Sequence, residues 1–217
     1  MKRIFALAAM ALFFFSACTK DRISGSGAIS TDNRNVANFV NISTNGATNV
    51  QIVKGAAFSV QVKGYSNLLP YFETVVRNNT LELGYRDGTN VKNDNLEVFV
   101  TMPVLEGARV SGSADIDVKG TFVSNRMNLF ISGSGNIDVE SGTVQLLDAD
   151  VSGSGNIRAF GVTADRAEIA ISGSGMIETK VMTHLKANIS GSGSIYYKGS
   201  PTVESFVSGS GKLVHRP

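Results

Sequence analysis

Tryptophan is absent from this 217-residue chain, which also has only one cysteine, four prolines and two histidines. A single cysteine excludes a disulfide framework, so packing has to hold the fold together. The histidines offer little for a catalytic triad: His184 lies in Met182-Thr-His-Leu185, and His215 stands two residues before Pro217. Charge of one sign is scarce as well. Twenty Lys and Arg face eighteen Asp and Glu, and two of the basic residues are Lys2 and Arg3. Nucleic-acid binding needs a clustered basic surface, and this balance provides none. No stretch sustains a helical period; only Ser66 to Tyr71 reads as a helical turn, which Pro70 keeps short. The one long apolar run, Ile4 to Phe15, is too short to span a bilayer.

That run has another reading. With Lys2 and Arg3 before it and Ser16-Ala17 after it, residues 1–17 fit a secretory signal. The segment Phe15-Ser-Ala-Cys18 resembles the bacterial lipoprotein signal, in which the cysteine becomes the acylated first residue of the mature chain. The expectation is lipid attachment at Cys18, a membrane partner through that anchor, and a lipidated tether over residues 18–34. Cys18-Thr-Lys20-Asp21 also resembles the start of an export signal of surface lipoproteins, with Arg22 where a second acid would stand. An outer-membrane lipoprotein is expected, displayed at the surface or else facing the periplasm.

Glycine is plentiful, at 23 residues. Much of it belongs to six copies of one phrase: Val110-SGSAD-Ile116, Ile131-SGSGN-Ile137, Val151-SGSGN-Ile157, Ile171-SGSGM-Ile177, Ile189-SGSGS-Ile195 and Val207-SGSGK-Leu213. A seventh, Ile23-SGSGA-Ile29, stands apart near the N-terminus. The opening serines recur at steps of 21, 20, 20, 18 and 18 residues. A fixed period near 20 marks a solenoid whose turns bury their apolar faces on one another. The flanking positions are aliphatic in all six copies, whereas the next position holds Asp117, Asp138, Arg158, Glu178, Tyr196 and Val214. One column is therefore core and its neighbour faces solvent. The fold expected is all-β: a right-handed parallel β-helix of roughly 20-residue turns over residues 106–217. An irregular or antiparallel β region over residues 35–105 precedes it within one continuous domain. In that region Asn78-Asn79 suits a tight hairpin between Thr74–Arg77 and Leu81–Tyr85.

The chain resembles the auto-transporter adhesin family with a head GIN domain, common among lipoproteins of Bacteroidetes. The blocks that carry the resemblance are Gly25-Ser-Gly27, Arg34-Asn-Val36 with Phe39, and Val50-Gln-Ile-Val53-Lys-Gly55. Then come Asn67-Leu-Leu-Pro70, Asn79-Thr-Leu81 and Val98-Phe-Val-Thr-Met-Pro103, leading into Val110-Ser-Gly-Ser113. The resemblance implies an envelope lipoprotein and a β-helical domain; the family has no established biochemical activity to carry over.

No residue pattern points to catalysis or a cofactor. The Gly-Ser-Gly phrases lack the third glycine of a dinucleotide loop, and Gly209-Ser-Gly-Lys212 is followed by Leu213 rather than a hydroxyl residue. A nucleophile elbow is missing. Asp115, Asp117 and Asp138 can lie on adjacent turns, as acid–base carboxylates do in polysaccharide-cleaving β-helices, but the column breaks at Arg158, Glu178 and Tyr196. Adding Asp148 and Asp150 still gives no loop of calcium-binding spacing. The expectation is thus a non-enzymatic adhesin or recognition module for a glycan or envelope protein, with no metal and no cofactor. A carbohydrate-active β-helix enzyme and a purely structural envelope protein are the alternatives. Tyr196 and Tyr197, with Phe206 nearby, are the candidate ligand surface; packing at the end of the solenoid is the competing reading of both rings.

Overall fold

At the corners of the repeat, backbone geometry admits only glycine. In the computed structural model, which describes residues 22–217, Gly112, Gly133, Gly153, Gly173, Gly191 and Gly209 hold φ between +109° and +132°. A Cβ at any of them would lie 2.2–2.5 Å from the carbonyl oxygen of the corresponding glycine one turn earlier. That oxygen is in use: Ser134 N and Gly135 N donate to Gly112 O at 2.9 and 3.3 Å, and Ser154 N and Gly155 N to Gly133 O at 2.9 and 3.2 Å. The glycine both turns the chain and lets successive turns close to hydrogen-bonding distance. The signal segment 1–17, Cys18 and the first residues of the expected tether lie outside the described residues.

The N-terminal part contains β1 (Arg22–Ser24), β2 (Ile29–Arg34), β3 (Asn41–Gly46), β4 (Asn49–Lys54), β5 (Ser59–Tyr65), β6 (Phe72–Arg77), β7 (Thr80–Tyr85), β8 (Asn90–Lys92) and β9 (Glu97–Met102). Asn78 and Asn79, at φ 49° and 60°, close the β6–β7 hairpin as their tolerance of positive φ predicts. One 3-10 turn, Leu69–Tyr71, precedes β6. The expected tether is corrected here: residues 22–34 are built into the fold. Strand β1 pairs in parallel with β8, and β2 pairs antiparallel with β5. Strand β2 lies at the edge of its sheet, and its burial alternates only between exposed and half-buried, so its polar sequence ISTDNR carries no apolar signal. The isolated Ser24-Gly-Ser26 is not a corner of the solenoid. Asn67 Nδ2 donates to Ser24 O, Asn93 Nδ2 donates to Gly25 O, and Ser26 N donates to Asn67 Oδ1, which hold it against the domain.

The stacked part contains β10 (Gly107–Gly112), β11 (Asp115–Gly133), β12 (Asn136–Gly153), β13 (Asn156–Gly173), β14 (Met176–Gly191), β15 (Ser194–Lys198), β16 (Thr202–Gly209) and β17 (Lys212–His215). Successive turns pair in parallel with like residues in register, as in Ile116↔Ile137↔Ile157↔Ile177↔Ile195. The expected β-solenoid stands, with about five turns. Burial alternates along β12 and slips phase at Glu140/Ser141 and Gln145/Leu146, which divides each turn into three walls. In the third wall the inward pairs are Met127 with Leu129, Leu147 with Ala149, Ala167 with Ile169, and Leu185 with Ala187; the second column, Leu129, Ala149, Ile169 and Ala187, alternates large and small up the stack.

Stacking also extends before residue 106. Strands β3 and β4 pair in parallel with β10 and β11, placing Thr44 opposite Val110, Gly46 opposite Gly112 and Val50 opposite Ile116. They form a turn without the Ser-Gly-Ser signature, and β7 and β9 form a partial turn on its other side. Thr44 takes an aliphatic position and is fully buried; its hydroxyl donates to Thr48 O within the corner. Chain order and stacking order therefore differ, since β3/β4 lies between β7/β9 and β10/β11. One corner of the stack runs through backbone bonds from Asn128 N to Glu106 O, Glu106 N to Val40 O and Val40 N to Asn79 O.

Candidate functional site

The outward residues of the third wall form two columns, fixed by register. One reads Glu82, Ser43, Arg109, Phe130, Asp150, Ala170, Asn188 and Phe206. The other reads Thr80, Asn41, Gly107, Asn128, Asp148, Glu168, Lys186 and Glu204. Where these columns carry Ser43 and Gly107, the wall sinks into a groove of about 420 Å³. Asn41, Asn128, Arg77 and Glu82 contribute polar groups, while Arg109 and Phe130 form one bank. A second depression of about 270 Å³ lies further along the same wall, around Ala170, between Asp150 and Phe206.

The bank is held in place. The Arg109 guanidinium lies 4.8 Å from the centroid of the Phe130 ring, a cation–π contact. Arg126 Nε donates to Asn128 Oδ1 at 2.8 Å and Arg126 Nη2 to Asp148 Oδ2 at 2.7 Å, so the Asn128 amide is oriented from behind. Asn128 Nδ2 donates in turn to Glu106 O. Burial raises the pKa of the Asp150 carboxyl, the neighbouring Asp148 charge raises it further, and Arg109 opposes both. The groove offers planar amides, a guanidinium over an aromatic ring, and the Glu82 carboxylate. Such groups bind hydroxyl-rich ligands by paired hydrogen bonds and a stacked face.

The residues singled out from the sequence lie elsewhere. Tyr196 and Tyr197 are neighbours on β15 and point to opposite faces, so they make no common platform. Tyr196 lies under Arg216, whose guanidinium is 4.7 Å from its ring, and Tyr197 packs on the core beside His215 at 5.0 Å. Phe206, the third ring of that set, is on another wall and 69% exposed. Asp115 is committed to a ladder, accepting from the backbone N and Nδ2 of Asn136, whose own Oδ1 accepts from Asn156. Asp138 pairs with Arg158 at 3.0 Å. Among the described residues, no three His, Cys, Asp or Glu side chains converge as metal ligands do.

The groove was hidden because its members come from β3, β6, β7, β10 and β11, far apart in sequence. One signal was present. The residue before each aliphatic-Ser-Gly-Ser phrase is Arg109, Phe130, Asp150, Ala170, Asn188 and Phe206, the outward column itself.

Residues 38–201, the greater part of the chain, match the family model described as "Putative auto-transporter adhesin, head GIN domain". The chain belongs to this family. Solved structures share the head GIN fold. A protein described as a "putative adhesin" from Bacteroides fragilis superposes with a TM-score of 0.73 at 23% identity, over 89% of this chain and all of its own. Another so described, from Parabacteroides merdae, gives 0.57 at 22% identity over 91% of this chain and all of its own. A "putative lipid binding protein" from Parabacteroides distasonis gives 0.61 at 24% identity over 90% of this chain and all of its own. At these identities the likeness establishes the fold. No curated protein matches the chain.

Proposed function

We propose that this head GIN domain is a non-enzymatic recognition module of the cell envelope that holds a glycan in the third-wall groove. The observation that carries the reading is the Arg109–Phe130 stack beside the oriented Asn128 amide, on the bank of a groove of about 420 Å³. An adhesin needs a prepared surface for sugar rings and hydroxyls, and this wall supplies stacked and hydrogen-bonding groups together. The adhesin description of the family and of its solved relatives supports the same role. The test is a glycan array probed with the purified protein, followed by incubation with every bound glycan and analysis of the products. Specific binding with each glycan recovered intact is expected; shortened or unsaturated products would identify a carbohydrate-active enzyme instead.

The same proposal places the domain on a lipid anchor at Cys18, with display at the cell surface. A single acyl chain anchors only marginally, so the multiply acylated cysteine of lipoproteins is implied. Cys18→Ser is expected to move the protein from the membrane fraction to the soluble one, as fractionation would show. Protease added to intact cells is expected to remove the domain; protection until lysis would leave it facing the periplasm.

A further inference from the structure

We infer that the groove takes a saccharide bearing one carboxylate among neutral sugars, with that carboxylate on Arg109. The inference rests on the glycan reading above and narrows it to an acidic ligand of defined charge spacing. Arg77, Arg126 and Arg166, the other arginines of this wall, are already paired, with Glu82, Asp148 and Asp165. Arg109, among the described residues, forms no ion pair and accordingly has its donors available. Its guanidinium rests over the Phe130 ring, a contact that narrows the positions its planar fork takes up. A guanidinium of this kind pairs with a carboxylate through two parallel hydrogen bonds. The amides of Asn41 and Asn128 line the same groove and suit the hydroxyls of the ring that carries the acid.

The neighbours of Arg109 in its column set the charge spacing. Glu82 precedes it by two strands and Asp150 follows by two, each about 10 Å away along the stack. A further acid on the ligand at that distance would meet the Asp150 carboxylate on one side; on the other, Arg77 already takes up the charge of Glu82. A sugar chain lying along the stack with an acid on every residue, or on every second residue, is thereby disfavoured. One acid flanked by neutral rings, or one at a chain end, fits both the cation and the carboxylates around it.

Calorimetry on the full protein tests this with matched pairs: 3′-sialyllactose against lactose, and cellobiouronate against cellobiose. 3′-Sulfolactose and a hyaluronate oligosaccharide serve as the other anions. At least one single-acid sugar is expected to bind about tenfold or more tighter than its neutral parent, the worth of a charge-assisted hydrogen bond. Arg109→Gln is expected to erase that preference, while Arg158→Gln, on the first wall, leaves it intact. The sulfated sugar and the hyaluronate oligosaccharide are expected to bind more weakly. Equal affinity for acid and neutral parent would overturn the inference and leave glycan binding standing. A preference that survives Arg109→Gln would place the acid elsewhere and overturn it as well. Tightest binding to the sulfated sugar or to hyaluronate would contradict the single carboxylate. Binding of none of the six would overturn the inference together with the glycan reading on which it rests.

Discussion

Gly153 and Gly46 share a role at the corner and differ in their surroundings. Both have positive φ, +126° and +99°, but a Cβ at Gly153 would lie 2.3 Å from Gly133 O, whereas at Gly46 nothing lies within 4 Å. Gly153→Ala is therefore expected to cost about 3 kcal/mol or more, from backbone strain and lost inter-turn hydrogen bonds together. Gly46→Ala should cost about 1–2 kcal/mol, from backbone conformation alone. Urea titration of the two variants checks the difference; equal costs would show that conformation, and not the approach of successive turns, fixes glycine at these corners. The sequence displays these glycines openly, because each corner repeats the same clash. It does not display what they do at residues 24–27. There the same letters put positive φ on Gly27, at +92°, and the segment is held by Asn67 and Asn93 instead of by a neighbouring turn.

A turn of the solenoid is stabilised by what lies above and below it. Ile157, fully buried, sits between Ile137 and Ile177, so Ile157→Ala is expected to cost about 2–5 kcal/mol. Asp138→Ala, in the adjacent outward column, removes an ion pair with Arg158 whose partners are both well exposed, and should stay within about 0.5 kcal/mol. Similar midpoint shifts for both would mean that inward and outward columns are exchanged. The periodic turns were legible because identical aliphatics stack in register and leave a repeat in the sequence. The β3/β4 turn was not, since Thr44 replaces the aliphatic residue and satisfies its hydroxyl locally, and its corner reads Asn-Gly-Ala in place of Ser-Gly-Ser. Edge strand β2 was hidden for a different reason. Exposed on one face and half-buried on the other, it needs no apolar alternation, and its polar residues resemble a tether.

At the scale of the whole molecule, stacking turns columns of residues into surfaces, and the groove of the third wall is one of them. The pair Tyr196 and Tyr197 drew notice as adjacent aromatics, yet alternation along β15 sends one ring toward the core and leaves the other under Arg216. The groove drew none, because residues from positions 41 to 130 meet there only after β3/β4 is enclosed between later strands. The proposed ligand surface thus depends on the order in which the turns stack, which the repeat itself does not state. Glycan binding by the wild-type protein, Ser43→Trp and Tyr196→Ala, measured side by side on the same array, tests this most directly. Ser43→Trp fills the floor of the groove and is expected to abolish binding, with Tyr196→Ala indistinguishable from wild type. Binding that survives Ser43→Trp but is lost in Tyr196→Ala would contradict the account and return the ligand to the surface beside Arg216.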